Sequence, residues 1–366
     1  MYAEVVGQNE LPNGTIVDPH VAEPLSPMKG TIMKALVLTG VKEFEIQDLP
    51  TPEILPNEVL INTAYAGVCG TDHDLYAGRP GSAAAVPPIV LGHENSGIVA
   101  AVGADVTNVK AGDRVAVDPN IYCGQCEFCL TQRPELCDHL SAVGVTRDGG
   151  LAEQFTAPAT VVYRLPDNVS LRDAAAIEPV SCAVHGLDLL KLRPYQKALV
   201  IGDGFMGQIF AQLLQAYGVH QVDLAGIFDE KLQRNKELFG VTETYNTTRE
   251  QIPTDAYDVI VEAVGLPATQ AQAVAAAKKG AQVLMFGVGP QEAHFEMNAY
   301  DIYKKQLTIQ GSFINRLTFR DAISLVSAGK MNIGGLISHE LGLDEVQDFL
   351  DGKITGVSKA VVKIGE

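Results

Sequence analysis

The segment ALVIGDGFMGQIFAQLLQAYG, residues 198–218, constrains the fold more than any other part of the chain. A short apolar strand runs into Gly202, Gly204 and Gly207, and a helix with apolar residues at helical spacing follows. In this setting the first glycine permits a tight turn, the second admits a phosphate to the backbone, and the third allows close helix–strand packing. The segment predicts a dinucleotide site at a helix N-terminus, the alternative being a βα turn without a ligand.

Strand and helix patterns alternate from residue 197 onward, after a region from 33 to about 165 of short strands broken by glycine and proline. Alternation of this kind implies a parallel sheet that is covered by helices on both faces. Residues 315–366 carry two amphipathic stretches and a final strand that could fold back onto the first domain. The predicted fold class is therefore α/β, with a doubly wound coenzyme domain and an irregular β-rich domain.

The end of the second strand of the coenzyme domain bears on the choice between NAD and NADP. NAD-binding domains usually place an acid there, which holds the ribose 2′-hydroxyl. This strand ends near Gly226, which would leave room for a 2′-phosphate, and Lys231 and Arg234 follow closely. The pattern slightly favours NADP over NAD, although a solvated helix face also explains the two basic residues. Phe205 and Met206, between the second and third glycines, complete the predicted coenzyme-binding set.

Four of the six cysteines lie in one short segment, CGQCEFCLTQRPELC. Their spacing suits a single tetrahedral zinc that closes a lobe over about residues 118–140. A zinc with four thiolate ligands has no open position, so this lobe is expected to stabilise the fold without binding substrate. A redox pair would not need the third and fourth thiols, and an iron–sulfur cluster is the other alternative. The four residues are Cys123, Cys126, Cys129 and Cys137.

Charge and composition narrow the class of partner. The chain has 366 residues and a net charge of −17, from 27 basic and 44 acidic side chains. This excess of acid repels phosphate backbones, which speaks against nucleic acid or an anionic membrane as a partner. There is no signal-peptide pattern and no apolar run long enough to span a bilayer, so we expect a cytoplasmic protein with reduced thiols. Residues 1–32, with scattered acids and prolines, are predicted to be an appended N-terminal extension.

A second set of potential metal ligands is scattered along the chain. Cys69 lies in GVCGTDHDLY, and His93 and Glu94 lie in LGHENSG. Glu178 lies in AAAIEPVSCAVHG. Each alone has an ordinary explanation, as a core cysteine, a loop or a helix start. Together with the glycine turn and the cysteine lobe they resemble the zinc-dependent medium-chain alcohol dehydrogenases, in particular the polyol branch that includes sorbitol, xylitol and threonine dehydrogenases. The resemblance covers nearly all of residues 33–366.

The resemblance implies the ligands of a catalytic zinc. In that family the cysteine of CGTD and the histidine of GHE bind the metal, and these are Cys69 and His93 here. Glu94 matches a ligand or close neighbour in polyol enzymes, which also take a ligand from an EP motif, matched by Glu178. Cys182, one helical turn after Glu178, is interpreted as core packing.

The resemblance also implies the chemistry. A zinc with an open position acts as a Lewis acid on an alcohol, and hydride then passes to the nicotinamide. Thr71 is placed to accept the alcohol proton, and Glu94 can adjust the charge at the metal. Many relatives have a relay histidine five residues after the first ligand, whereas this chain has Asp74 there and His73 one position early. The relay beyond Thr71 is therefore not predicted.

The expected function is that of a zinc-dependent oxidoreductase that reversibly oxidises a secondary alcohol, best a polyol, with NAD or NADP and two zinc ions per chain. L-Threonine or a simple secondary alcohol is the alternative substrate. A zinc-free reductase of the quinone-reductase type and a non-catalytic NAD(P)-binding sensor on the same fold are the other interpretations. Relatives imply a homodimer or homotetramer. The predicted domains are a GroES-like catalytic domain over 33–182 and 315–366, and a Rossmann domain over 183–314.

Overall fold

Residues 32–365 are described by the computed structural model of the chain. They form a six-stranded sheet, a seven-stranded sheet, a three-stranded sheet and a two-stranded ribbon. Of the predicted extension 1–32, only Ile32 lies within the described residues, and it begins the first strand. No helix among residues 32–365 is long and apolar enough to cross a membrane.

The strands of the described chain are β1 Ile32–Gly40, β2 Glu43–Pro50, β3 Glu58–Val68, β4 Ile89–Val90, β5 Glu94–Val102, β6 Arg114–Val117, β7 Asn120–Ile121, β8 Ser141–Ala142, β9 Gln154–Pro158, β10 Val162–Arg164, β11 Lys197–Ile201, β12 Gln221–Gly226, β13 Thr244–Asn246, β14 Tyr257–Glu262, β15 Ala277–Met285, β16 Thr308–Gly311, β17 His339–Leu341 and β18 Ala360–Lys363. The helices are α1 Gly70–Tyr76, α2 Glu127–Leu130, α3 Leu171–Ala174, α4 Ile177–Asp188, α5 Phe205–Ala216, α6 Asp229–Phe239, α7 Pro267–Ala276, α8 Ala299–Lys305, α9 Phe319–Ser327 and α10 Val346–Leu350.

The six-stranded sheet is parallel throughout and has the order β13-β12-β11-β14-β15-β16. This is the doubly wound order, in which a ligand binds at the carboxyl ends of the strands where the order reverses. Apolar residues cover both faces, because Val200 packs in one core cluster with Phe210 of α5 while Leu199 packs in another with Ile260. The predicted α/β class with a Rossmann sheet is confirmed.

The seven-stranded sheet contains β10-β6-β5-β3-β18-β17, with β9 also paired to β3. Strand β18 runs antiparallel to β3, with Val362 opposite Ala66, so the end of the chain returns to the first part as the sequence suggested. Strand β5 lies on the other side of β3, and Glu94 stands opposite Gly67. This register brings the end of β3 beside the start of β5, and it positions the residues of the site.

Helix α4 connects the two large sheets. Val180 and Val184 of α4 share a core cluster with Phe210 of α5 and Phe319 of α9. The predicted domain boundary at 182/183 falls inside this helix, and the domain limits stay a prediction. The short strand β13 was not predicted, because its three residues are too few to show a period.

Candidate active site and zinc sites

Cys69 caps the N-terminus of α1, directly after β3. Its Sγ accepts a hydrogen bond from the Thr71 backbone N–H at 3.3 Å and lies 3.1 Å from His93 Nε2. The Asp72 carboxylate accepts a hydrogen bond from the Cys69 backbone N–H at 2.9 Å. This reciprocal capping box holds both the backbone and the thiol of Cys69, so the sulfur has a fixed direction.

Asp72 also orients the histidine of the site. Its Oδ1 lies 3.5 Å from His93 Nδ1, and both side chains are buried. Burial disfavours charge on both groups, but their mutual attraction lowers the pKa of Asp72 and, together with Cys69, raises the pKa of His93. A carboxylate behind one ring nitrogen fixes how the imidazole presents the other to a metal. Sequence reasoning missed Asp72, although its place three residues after Cys69 is the capping-box signal.

Glu94 is buried and forms an ion pair with Lys359, which directly precedes β18. Its carboxylate lies over Gly67, where any Cβ would overlap it. The Lys359 ammonium also donates to the Val68 carbonyl at 3.1 Å. Burial disfavours the charge of Lys359, but Glu94 and Cys69 together raise its pKa. Sequence reasoning missed Lys359, because nothing local marks a lysine that meets β3 across 291 positions.

Glu178 lies in the first turn of α4 and is buried. Cys182, one turn later, donates its S–H to Glu178 Oε1 at 3.3 Å. Burial raises the pKa of Glu178 to about 7, His93 opposes the rise, and Glu94 adds to it. Glu178 therefore lies within electrostatic reach of the site. It is not part of the group Cys69–His93–Glu94, whose ligand atoms all lie within 4.8 Å of one another.

The group Cys69–His93–Glu94 fits a zinc ion by its donor chemistry. A thiolate, an imidazole nitrogen and a carboxylate oxygen are the three ligand types that zinc takes in proteins. Glu94 Oε2 pairs with the Lys359 ammonium, whereas Oε1 is buried and accepts no hydrogen bond from the described residues, so Oε1 is available to a cation. Three ligands leave a fourth position open, which is the arrangement of catalytic rather than structural zinc sites.

Thr71, which was expected to accept the alcohol proton, and Asp74 and His73, which lie at or near the position of the relay histidine in relatives, have different surroundings. Thr71 follows Cys69 by two positions and is half-buried at the start of α1. Asp74 accepts hydrogen bonds from the Arg79 guanidinium at 2.7 and 2.9 Å, so its carboxylate is engaged away from the metal ligands. His73 packs edge-on against Phe349, with ring centroids 5.4 Å apart, and burial lowers the pKa of this histidine.

The four cysteines of the lobe converge at a second point. Their sulfurs all lie within 4.8 Å of one another, and the Cys123–Cys129 and Cys126–Cys137 pairs are 3.9 Å apart. Four sulfurs about 2.3 Å from one tetrahedral zinc would be about 3.8 Å apart. Backbone N–H groups point at these sulfurs, and they lower the pKa of Cys126 to about 6 and also lower that of Cys123. The geometry fits one closed zinc site.

The glycine turn has the geometry of a phosphate cradle. Gly202 has a φ of 122°, which favours glycine, and a Cβ at Gly207 would overlap the Gly202 carbonyl. A Cβ at Gly204 would meet open space, so its absence leaves the backbone at the start of α5 accessible to a diphosphate. The side chains of Phe205 and Met206 pack against the core instead, which leaves their backbone N–H groups for a ligand.

The space beside Gly226 is filled. A Cβ at Gly226 would overlap the carboxyl group of Asp203, which reaches over from the glycine turn. Asp203 therefore occupies part of the space beside Gly226 that was expected to admit a 2′-phosphate. Lys231, on α6, lies with its Nζ 4.8 Å from the centre of the Phe228 ring.

A Rossmann sheet with a phosphate cradle, joined to a β-rich part that carries an open and a closed zinc-ligand group, defines a zinc-dependent nicotinamide dehydrogenase. Two family models match the chain: "Alcohol dehydrogenase GroES-like domain" over residues 55–167 and "Zinc-binding dehydrogenase" over residues 206–328.

Known proteins agree with this class. The chain is 32% identical to D-arabinitol dehydrogenase 1 of Uromyces fabae, over 87% of this chain and 93% of the relative. It is 31% identical to sorbitol dehydrogenase of Bacillus subtilis, with the same coverage of both chains. A zinc-binding dehydrogenase from Sinorhizobium meliloti, solved bound to NADP, is 32% identical with a TM-score of 0.87, over 91% of this chain and all of that one.

The chain belongs to the zinc-dependent medium-chain alcohol dehydrogenases, in the polyol branch. The family expected from the motifs is confirmed, as are its GroES-like and Rossmann components and its dependence on zinc and a nicotinamide dinucleotide. The roles of individual residues stay predictions, which the geometry above supports.

Proposed function

We propose that this dehydrogenase reversibly oxidises a secondary hydroxyl of a polyol at the group Cys69–His93–Glu94 and transfers the hydride to the nicotinamide of a coenzyme held at the glycine turn. One observation carries the proposal. Lys359 pairs with Glu94 of the metal group, and its Nζ lies 5.0 Å from the ring centre of Phe205, the first residue of α5. The metal group and the coenzyme turn therefore face one another across a single side chain.

Zinc bound by Cys69, His93 and Glu94 would polarise the substrate hydroxyl as a Lewis acid, and the nicotinamide would accept the hydride. The Thr71 hydroxyl would accept a hydrogen bond from the substrate hydroxyl and pass the proton on by donating its own hydrogen to a water molecule. Asp72 keeps the His93 ring in one orientation, and Lys359 balances the charge of Glu94.

A polyhydroxylated substrate is favoured over a simple alcohol. Glu178 adds a second carboxylate next to the metal group, which already contains Glu94, and carboxylates accept hydrogen bonds from several hydroxyl groups at once. L-Threonine and simple secondary alcohols remain the alternative substrates. We further propose a cytoplasmic homodimer or homotetramer, which rests on the family and on the unpaired cysteines of the described chain.

The test is a dehydrogenation assay with a panel of polyols, L-threonine and simple secondary alcohols, with NAD and NADP in parallel. We expect turnover of at least one polyol above that of the other classes. Cys69→Ser should abolish turnover while leaving coenzyme binding and the melting temperature close to those of the wild type. Turnover confined to a simple alcohol would refute the polyol assignment, and coenzyme binding without any turnover would identify a non-catalytic sensor.

A further inference from the structure

Asp203 supplies a carboxylate where the second strand of the coenzyme domain has none. It is the middle residue of the turn Gly202–Gly204 and is 6% exposed. Its side chain lies against the Cα of Gly226, the last residue of β12. The end of the second strand is where NAD-binding domains hold an acid for the adenosine ribose. A carboxylate is therefore present at this end of the sheet, but it comes from the turn between β11 and α5 and not from β12.

Hydrogen bonds fix the position of this carboxylate. Asp203 Oδ2 accepts hydrogen bonds from the backbone N–H groups of Ile227 and Phe228, at 2.8 and 2.7 Å. Oδ1 accepts none from the described residues, so it is available to a hydroxyl donor. The two N–H groups at the end of β12 are used by Asp203, and they cannot also bind a phosphate.

The cations that follow β12 are engaged elsewhere. Arg234 donates to the Gly335 carbonyl. Arg249 makes two hydrogen bonds to the carboxylate of Asp229. Lys231 lies over the Phe228 ring. Its single positive charge would have to offset the negative charge of Asp203 before it could attract a 2′-phosphate. A phosphate on the ribose 2′-oxygen would meet a buried carboxylate without a free guanidinium to offset it.

We propose that Asp203 selects the coenzyme, accepting a hydrogen bond from the ribose 2′-hydroxyl and excluding a 2′-phosphate, so that the chain prefers NAD to NADP. The inference rests on the proposed function only in placing the coenzyme at the glycine turn. It replaces the slight preference for NADP, whose premise was an open space at Gly226.

Titration of NADH and NADPH against the wild type, followed by nucleotide fluorescence without an alcohol substrate, tests the inference. We expect the wild type to bind NADH at least about tenfold more tightly than NADPH, because like charges at close range are strongly unfavourable. Asp203→Asn keeps the side-chain shape and an oxygen acceptor for the two N–H groups but removes the charge. It should reduce the NADH:NADPH affinity ratio at least about tenfold. Glu230→Gln, which removes an exposed acid at the start of α6, should leave the ratio unchanged.

Equal affinity of the wild type for both nucleotides would overturn the inference, whatever the variants do. So would an Asp203→Asn variant that keeps the wild-type ratio, or one that weakens both nucleotides equally, because that result means a purely structural role for the carboxylate. Binding is measured without turnover. Strong preference for NADH in a protein that oxidises no alcohol would therefore support Asp203 while refuting the proposed function.

Discussion

At the scale of single residues, buried carboxylates show how this protein handles charge away from water. Asp72 and Glu94 each have a cationic or ionisable partner, whereas Asp118, directly after β6, has only neutral partners among the described residues. Asp118 Oδ1 accepts hydrogen bonds from the Asn315 side chain at 2.9 Å and from the Asn120 backbone at 3.1 Å. Burial raises the pKa of Asp118 to about 6, although these hydrogen bonds oppose the rise.

The pKa of Asp118 predicts a pH-dependent stability. The ordinary value is 3.8, so between pH 4 and 6 the native state holds a proton that the unfolded chain has lost. The free energy of unfolding then falls as the pH rises, and the full penalty, at most about 3 kcal/mol, is reached above pH 6. Asp118→Asn removes this penalty. Its stability relative to the wild type should rise by about 1–1.5 kcal/mol between pH 5 and pH 8 in denaturant titrations, because about half of the penalty is already present at pH 5. A difference that does not change with pH would contradict the assignment.

At the scale of elements, the pairing of β18 with β3 brings Lys359, directly before β18, from the far end of the chain to the site. Lys359 is 3% exposed, and it is the cationic partner of the buried Glu94 among the described residues. Removing one partner of a buried ion pair leaves the other charge uncompensated, which costs about 3–5 kcal/mol.

We therefore expect Lys359→Met to lower the free energy of unfolding by a few kcal/mol, measured by denaturant titration on the metal-free protein. Lys359→Met/Glu94→Gln should recover a large part of the loss, because the double variant no longer buries an unpaired charge. If the double variant instead loses as much free energy of unfolding as Lys359→Met and Glu94→Gln lose separately, the ion pair does not stabilise the native state in the way that the geometry indicates.

The cysteine lobe is the other element whose stability depends on a few atoms. It includes the short helix α2, none of whose residues is buried, so the lobe has little apolar packing to hold it. Cys126→Ser should release the structural zinc and lower the melting temperature and soluble yield. Glu127→Gln, an exposed change in the same helix, is the matched control and should alter neither. A stable Cys126→Ser protein without lobe zinc would show that the metal is dispensable for folding.

These elements also show what sequence can and cannot predict. The glycine turn and the cysteine spacing are local patterns. The first predicted the coenzyme turn of the Rossmann domain, and the second predicted the zinc lobe. Cys69 and His93 are 24 positions apart, and family motifs rather than periodicity singled them out. Lys359 and Asp203 carry no local signal, because their contacts depend on how β18 meets β3 and on how the glycine turn meets the end of β12.

At the scale of the whole molecule, the two zinc-ligand groups and the coenzyme turn are assigned different functions. We propose that a zinc in the lobe group, closed by four thiolates, stabilises the fold, whereas a zinc held by Cys69, His93 and Glu94 would keep an open position for the substrate. This division is the central claim, because it assigns chemistry to one group and not to the other.

The zinc content of the wild type and of Cys69→Ser, each measured with the dehydrogenase activity of the same sample, tests the claim most directly. The account predicts two zinc ions per chain in the active wild type, and one in a folded, inactive Cys69→Ser protein that keeps its lobe. Two zinc ions in Cys69→Ser, or full activity of a wild type that holds only the lobe zinc, would contradict it.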